Sequence, residues 1–171
     1  VKVERVLIVH DEERSLEHFV REVAFANVTE RFGFVVPTPT KPGVFPVKSG
    51  NGALFTALER AYPHTSAAPG FGSGQGFGSG QGKGGGGLTV HEAKRVGSFA
   101  AFVLSATDPG ALTKWLGDNG FVSTPASAAW SERYVRRGFF FVALRFEPKL
   151  AKEKGAREQD SETLRITFET P

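Results

Sequence analysis

Two places in the chain set a histidine directly beside a carboxylate, His10-Asp11 and His91-Glu92. Imidazole changes charge close to neutral pH, so either pair could serve general acid–base chemistry or help to hold a metal. A hydrolase or metal-dependent enzyme built on His91/Glu92 or His10/Asp11 is therefore one reading. Against it, no H-x-x-x-H pair exists, and no G-x-S-x-G turn supplies a nucleophile. Both pairs fall at expected strand ends, where polar residues occur anyway. A second chemical pattern is Gly80-Gln81-Gly82-Lys83-Gly84-Gly85, which fits G-x-G-x-x-G. A dinucleotide fingerprint must follow a strand and open a helix, so that the helix N-terminus meets the pyrophosphate. Here tandem repeats precede the pattern and more glycines follow it. A Walker loop fails too, since Phe77 stands at its first glycine and Gly84 follows Lys83. Neither a catalytic residue, a cofactor nor a metal is assigned.

Composition narrows the classes further. The chain has 171 residues, 40% of them hydrophobic, which suits one globular domain with a core of its own. Sixteen Phe against two Tyr and two Trp make the aromatic content mostly packing material. A net charge of +3, from 21 basic and 18 acidic residues in mixed order, makes a weak case for nucleic acid. With no Cys there is no disulfide, no thiolate nucleophile and no Cys-based zinc site. No stretch approaches the ~18 apolar residues that a membrane span needs. Membrane attachment is therefore expected only through segments outside these residues. The absence of Met and the Val1 start fit the removal of a leader, and equally a chain trimmed at its start.

The elements that must position these groups can be read along the chain. Val6 to Val9 is a continuous apolar run and reads as a strand covered on both faces. His10 to Arg14 then turns the chain. Phe19 to Val28 reads as a half-buried partner, with Val23 and Phe25 inward against Arg21, Glu22 and Asn27. Phe32 to Val36 is a third strand, stopped by Pro37, Pro39 and Pro42. Val44 to Val47, interrupted by Pro46, is an edge segment at best.

From Ala53 to Tyr62 the period becomes helical, with Leu54, Leu58, Ala61 and Tyr62 on one face. Between residues 69 and 87, GFGSGQ occurs twice (Gly70–Gln75, Gly76–Gln81) before a run of glycines. Such glycine density loses too much backbone entropy to form regular structure cheaply, so 69–87 reads as a flexible insert within the domain. Leu88–His91 and Phe99–Leu104 bracket Val96-Gly97 as strands. Asp108-Pro109 then opens a helix, and Asp118-Asn119-Gly120 stops it. Thr124-Pro125 opens another, with Ala126, Ala129, Trp130 and Tyr134 as its expected buried face, and Gly138 ends it. Phe139 to Phe146, apolar on nearly both faces, reads as a central strand. Segment 147–162 holds four basic and five acidic residues and reads as a solvated excursion. Leu164, Ile166 and Phe168 alternate with Arg165, Thr167 and Glu169 as a strand with one wet face. The class expected is α+β: a mainly antiparallel sheet with about three short helices, forming a single domain over 1–171.

The order LSATD, LTKWLGDNGF, ERYVRRGFFFVALRF and LRITFETP resembles an uncharacterised bacterial family, domain of unknown function 2330. The early segments RVLIVHD, FGFVVPTP and ALFTALERAYP are similar to it as well. The spacing of Trp115-Leu116, Asn119-Gly120, Tyr134-Val135 and Gly138-Phe139 makes the match specific. Members of this family typically look secreted, often with a membrane anchor after the domain. The resemblance thus implies a periplasmic or extracellular location, and it implies no reaction. Two departures stand out: members often carry Cys near the start, and their pattern tends to run past Pro171.

The expectation is then a non-enzymatic domain of the cell envelope, structural or protein-binding, with a protein partner in a membrane-associated complex. Phe71 and Phe77, six residues apart among glycines, are apolar side chains that make sense if a partner covers them, with Lys83 beside them. Trp115 and Trp130 read as core anchors of their helices. Arg133, Arg136 and Arg137 complement a helix C-terminus and would make a weak anion site.

Overall fold

The computed structural model describes residues 3–24, 32–47, 53–62, 86–147 and 161–170. The period-two runs become eight strands: β1 (Val3–Asp11), β2 (Leu16–Ala24), β3 (Gly33–Thr38), β4 (Gly43–Pro46), β5 (Leu88–Val96), β6 (Phe99–Ala106), β7 (Phe140–Phe146) and β8 (Ser161–Glu169). The helical stretches become α1 (Ala53–Ala61), α2 (Pro109–Asp118) and α3 (Pro125–Val135). All neighbouring strands pair antiparallel, in two sheets of four ordered β1-β2-β8-β4 and β3-β7-β6-β5. The fold is α+β. The insert expected over 69–87 lies outside the described residues up to 85, and only the Gly86-Gly87 turn belongs to the described part. Most of the charged 147–162 excursion also lies outside them.

Alternation along β6 and β7 builds two cores at once. Phe99, Ala101 and Val103, with Val142, Leu144 and Phe146, point at the first sheet and meet Val23, Val44, Leu164, Ile166 and Phe168. The intervening Leu104, Ala106, Phe141 and Ala143 point the other way, onto Leu112, Trp115 and Leu116 of α2 and Val135 of α3. The second sheet is thus the middle of three layers. Fully buried Phe99, Phe141 and Phe146 each contribute roughly 2–3 kcal/mol of apolar transfer. Phe139 to Phe146 does form a central strand, as its two-sided apolar pattern implies.

Both helices start as their sequences imply. The Asp108 carboxylate accepts from the Gly110 and Ala111 amides at 3.0 and 3.1 Å, with Pro109 in the first turn. Thr124 and Ser127 close a reciprocal capping box. The buried face of α3 differs from the expected one. Ser131 and Val135 are buried, while Trp130 is 39% exposed and leans on Tyr134 with ring centroids 5.0 Å apart. Ser131 can occupy the inner face because its hydroxyl donates to the Ala128 carbonyl at 2.9 Å, and a small side chain lets the helix sit close. Trp115 is a core anchor, 4% exposed.

The first sheet differs from expectation in β1 and in β2, where Arg21, expected on the wet face, points into the sandwich. β1 is an edge strand and not a doubly covered one, and the chain turns only after Asp11, over residues 12–15. Glu22, expected at the surface, is 2% exposed. It lies directly across from Arg5, whose Nε donates to it at 2.6 Å. The same guanidinium donates to Glu59 of α1 at 2.8 Å and stands 5.3 Å from the centre of the buried Phe55 ring. Burial works against the Arg5 charge, but its bonds to Glu22 and Glu59 outweigh this and hold it above the ordinary arginine value. Arg5 therefore docks α1 on the outer face of the first sheet.

The β5–β6 hairpin closes through Gly97-Ser98, between the paired residues Val96 and Phe99. Gly97 has φ +63°, which suits the first central position of a tight hairpin turn. The Glu162 carboxylate accepts from the Ser98 amide at 2.6 Å and packs where a Gly97 side chain would start.

Two stability tests follow. Gly97→Ala should lose about 2 kcal/mol in urea unfolding, combining left-handed strain with displacement of Glu162. Gly138→Ala, at φ +72° with nothing within 4 Å of the new carbon, should lose only about 1 kcal/mol. Equal losses would remove the Glu162 contact from the account. Arg5→Met should cost about 2 kcal/mol, because it strips the buried Glu22 of its guanidinium. The double variant Arg5→Met/Glu22→Leu should recover at least half of that loss.

Candidate interaction surface

Among the described residues, the two four-stranded sheets have four edge strands: β1, β4, β3 and β5. An edge strand offers unpaired amides and carbonyls to any other strand, and folded proteins block this with brevity, proline, bulges or charge. Three of these edges are blocked. β4 has four residues and ends in Pro46. β3 has six, with Pro37 inside it removing a donor. β5 is bulged between Val90 and Glu92, with the charged Glu92, Lys94 and Arg95 beyond.

β1 lacks the first three of these features, and its charges, Glu4, Arg5 and Asp11, lie toward its ends and are paired with Arg21, Glu22 and Arg14. It is nine residues long without Pro, Gly or bulge, and its middle is Val6-Leu7-Ile8-Val9. Val6, Ile8 and Val9 are 45%, 59% and 42% exposed. The exposure has a geometric cause. Phe34 of β3 lies over Arg21 of β2, with the guanidinium 3.5 Å from the ring centre. The second sheet thus ends above β2, and Val6 and Ile8 of β1 project past it.

Arg21 seals the sandwich at that boundary, with its Nη2 2.8 Å from Glu4. Burial lowers the Arg21 pKa, and the nearby Glu4 charge opposes the shift. On the outer face, Leu7 joins Phe55, Leu58 and Tyr62 around a cavity of about 360 Å³, with the Arg5–Glu59 pair at its side. Apolar surface therefore flanks the open edge on both faces.

The histidine–carboxylate pairs do not assemble. His10 is exposed on β1, and Asp11, its successor in the strand, points to the opposite face. Asp11 is bound by Arg14, through its side chain at 2.8 Å and its amide at 3.1 Å, and these bonds hold the carboxyl below its ordinary value. Glu92 pairs with Lys94 at 2.8 Å. His91, the extra residue of the β5 bulge, instead reaches Ser105 of β6, Nε2 to Oγ at 2.8 Å, with its ring 5.2 Å from that of Phe140. His18 meets Thr167 at 2.9 Å. Among the described residues no three His, Asp or Glu side chains group as metal ligands do. Arg136 is taken by Glu132 at 2.5 Å. Phe71, Phe77 and Lys83 lie outside the described residues.

Sequence reasoning missed the β1 edge, the Arg5 clamp and the His91–Ser105 contact. The last two join strands in registers that no local pattern announces. The first had a signal: the middle of β1, Val6 to Val9, contains no blocking residue, while Pro37, Pro46 and the charges of β5 stand in plain view.

The family model described as "Uncharacterized protein conserved in bacteria (DUF2330)" matches residues 1–171. No curated protein and no solved structure matches the chain. The match spans both sheets, all three helices and the β1 edge, and the chain belongs to this uncharacterised bacterial family.

Proposed function

We propose that this chain is a non-enzymatic protein-interaction domain of the bacterial cell envelope, and that it meets its partner along β1. One observation carries the reading: three of four sheet edges are blocked, while the open one is long and apolar on both faces. Backbone pairing would supply the affinity, and side chains fitted beside Val6 and Ile8 would supply the choice of partner. The envelope location rests on the secreted character that the family resemblance implies.

A hydrolase is the second reading, and the His91–Ser105 contact is what favours it. A serine nucleophile also needs an orienting group on the far ring nitrogen and donors for the oxyanion. Among the described residues no carboxylate bonds the His91 ring. The contact instead ties the β5 bulge to β6.

The test is capture from solubilised envelopes of the native bacterium, using tagged wild-type and Ile8→Lys chains. Wild type should retain a defined protein that Ile8→Lys retains about tenfold less. Trp130→Lys, on the opposite helical layer, should retain it fully. Equal capture by wild type and Ile8→Lys would sink the reading.

A further inference from the structure

We propose that the occupant of the β1 edge is β1 of a second copy of this chain, paired antiparallel about a two-fold axis through Leu7. This rests on the reading of β1 as the contact edge and names the partner.

The argument is one of register. A two-fold axis normal to the sheet keeps each face on its own side, so directly opposed residues must share a face. Because faces alternate along a strand, the two opposed residue numbers must sum to an even value. β1 runs from Val3 to Asp11, and its midpoint is Leu7. Centring the axis there is the register that leaves no residue of either strand without a partner. It sets Val6 against Ile8 of the other copy, on the face where both are exposed. Sums two lower or two higher would pair Glu4 with Ile8, or His10 with Val6.

In the centred register Glu4, whose Oε1 holds Arg21 of its own copy, instead faces His10, whose ring N–H can donate to the second carboxylate oxygen. An apolar centre flanked by complementary polar groups at both ends is self-complementary, as a two-fold interface requires. Cross-strand apolar and polar pairs of this kind stabilise antiparallel sheets.

The opposite face sets apolar Leu7 at its centre, and Arg5, held by Glu22 and Glu59 of its own copy, against Val9. There Leu7 lies against Leu7 of the second copy, and each lines its own cavity beside α1. The two cavities, with Leu58 and Tyr62 at each, would meet across the axis as one apolar surface. Pairing would join the two four-stranded sheets into one continuous sheet of eight and leave no open β1 edge. The two-fold also closes the assembly at two copies, so an apolar edge does not propagate into fibres.

The chain contains no Cys, so a single introduced thiol reports the register cleanly. Opposed residues of an antiparallel pair lie about 4.5–5.5 Å apart, within the reach of a disulfide. Mild oxidation of Leu7→Cys should therefore give a covalent dimer. Val9→Cys, displaced along the strand from its counterpart by roughly 13 Å, should give little. Light scattering of the wild type should show a dimer with micromolar affinity. Ile8→Lys should weaken it at least about tenfold, and His10→Glu, which sets a second carboxylate opposite Glu4, should weaken it by a smaller factor. Unfolding midpoints unchanged at concentrations well below the dimer Kd, where pairing adds no stability, would confirm that both variants keep their fold.

A wild-type monomer at about 100 µM would overturn the second copy as occupant. If the β1 amides of that monomer exchange freely, the edge is open and the capture test still decides the broader reading. If those amides are protected, the edge is covered from within the chain and both readings fall. A dimer that Ile8→Lys leaves intact, or that cross-links equally through Val9→Cys and Leu7→Cys, would also overturn the proposal.

Discussion

The structure is organised by the requirement that β6 and β7 be buried on both faces. Side chains two apart share a face, so each strand divides its apolar residues between two destinations. Phe141 and Ala143 go to the helices, and Val142, Leu144 and Phe146 go to the first sheet. Neither core could form without a second layer on its side. The helical hairpin and the first sheet are thus both demanded by the same strands. This is why the chain between Ser105 and Phe146, which supplies α2, α3 and β7, is its most densely patterned stretch.

A middle sheet solves its own exposure and passes the problem outward. The first sheet has one face on the core and must end somewhere on each side. At one side it ends in β4, short and proline-bounded, with the half-exposed Phe45 flanked by the cations of Lys94 and Arg165 at 5.4 and 5.2 Å. At the other side the two sheets are offset, because β3 covers β2 and not β1. The offset is fixed by Arg21, a charge pointing into the sandwich, flattened on Phe34 and neutralised by Glu4. An inward charge is expensive to bury, and its lowered pKa records that cost. Its effect is to mark where the apolar core stops. β1 lies beyond the mark.

Much of this could be read from the residues. Cap residues, helical faces and strand alternation are local, so Asp108-Pro109, Thr124-Pro125 and Leu164-Ile166-Phe168 each announce their own structure. What failed was whatever depends on distant chain. Val6 to Val9 reads as doubly covered because a continuous apolar run looks the same in a central strand and at a sticky edge. Glu22 reads as exposed because its burial depends on distant chain, including the arrival of Arg5 across the strands. Trp130 reads as core because its size outweighs its phase, whereas the real inner face is set by Ser131 and Val135. The histidine pairs illustrate the same limit in reverse. Adjacency in sequence placed His10 and Asp11 on opposite faces of a strand, and the contact that did form, His91 to Ser105, crosses between strands.

The composition of β1 then needs its own physical account. Folding alone asks for apolar side chains only where they reach the core or the underside of α1, which includes Leu7 and leaves Val6 and Ile8 45% and 59% exposed. Lysine or glutamate at those two positions would leave the monomer's packing almost untouched and would protect the edge. β-branched apolar residues there gain little in the monomer and add an aggregation hazard. They make sense as half of a paired surface, where each stabilises a neighbour across the strands and excludes water from the new ladder. The same reasoning explains why the other three edges are blocked: a domain with one productive edge gains specificity when its remaining edges cannot compete for the same strand. On the proposed reading, the open edge and the blocked ones are parts of a single arrangement, in which strand pairing is directed to one place on the surface.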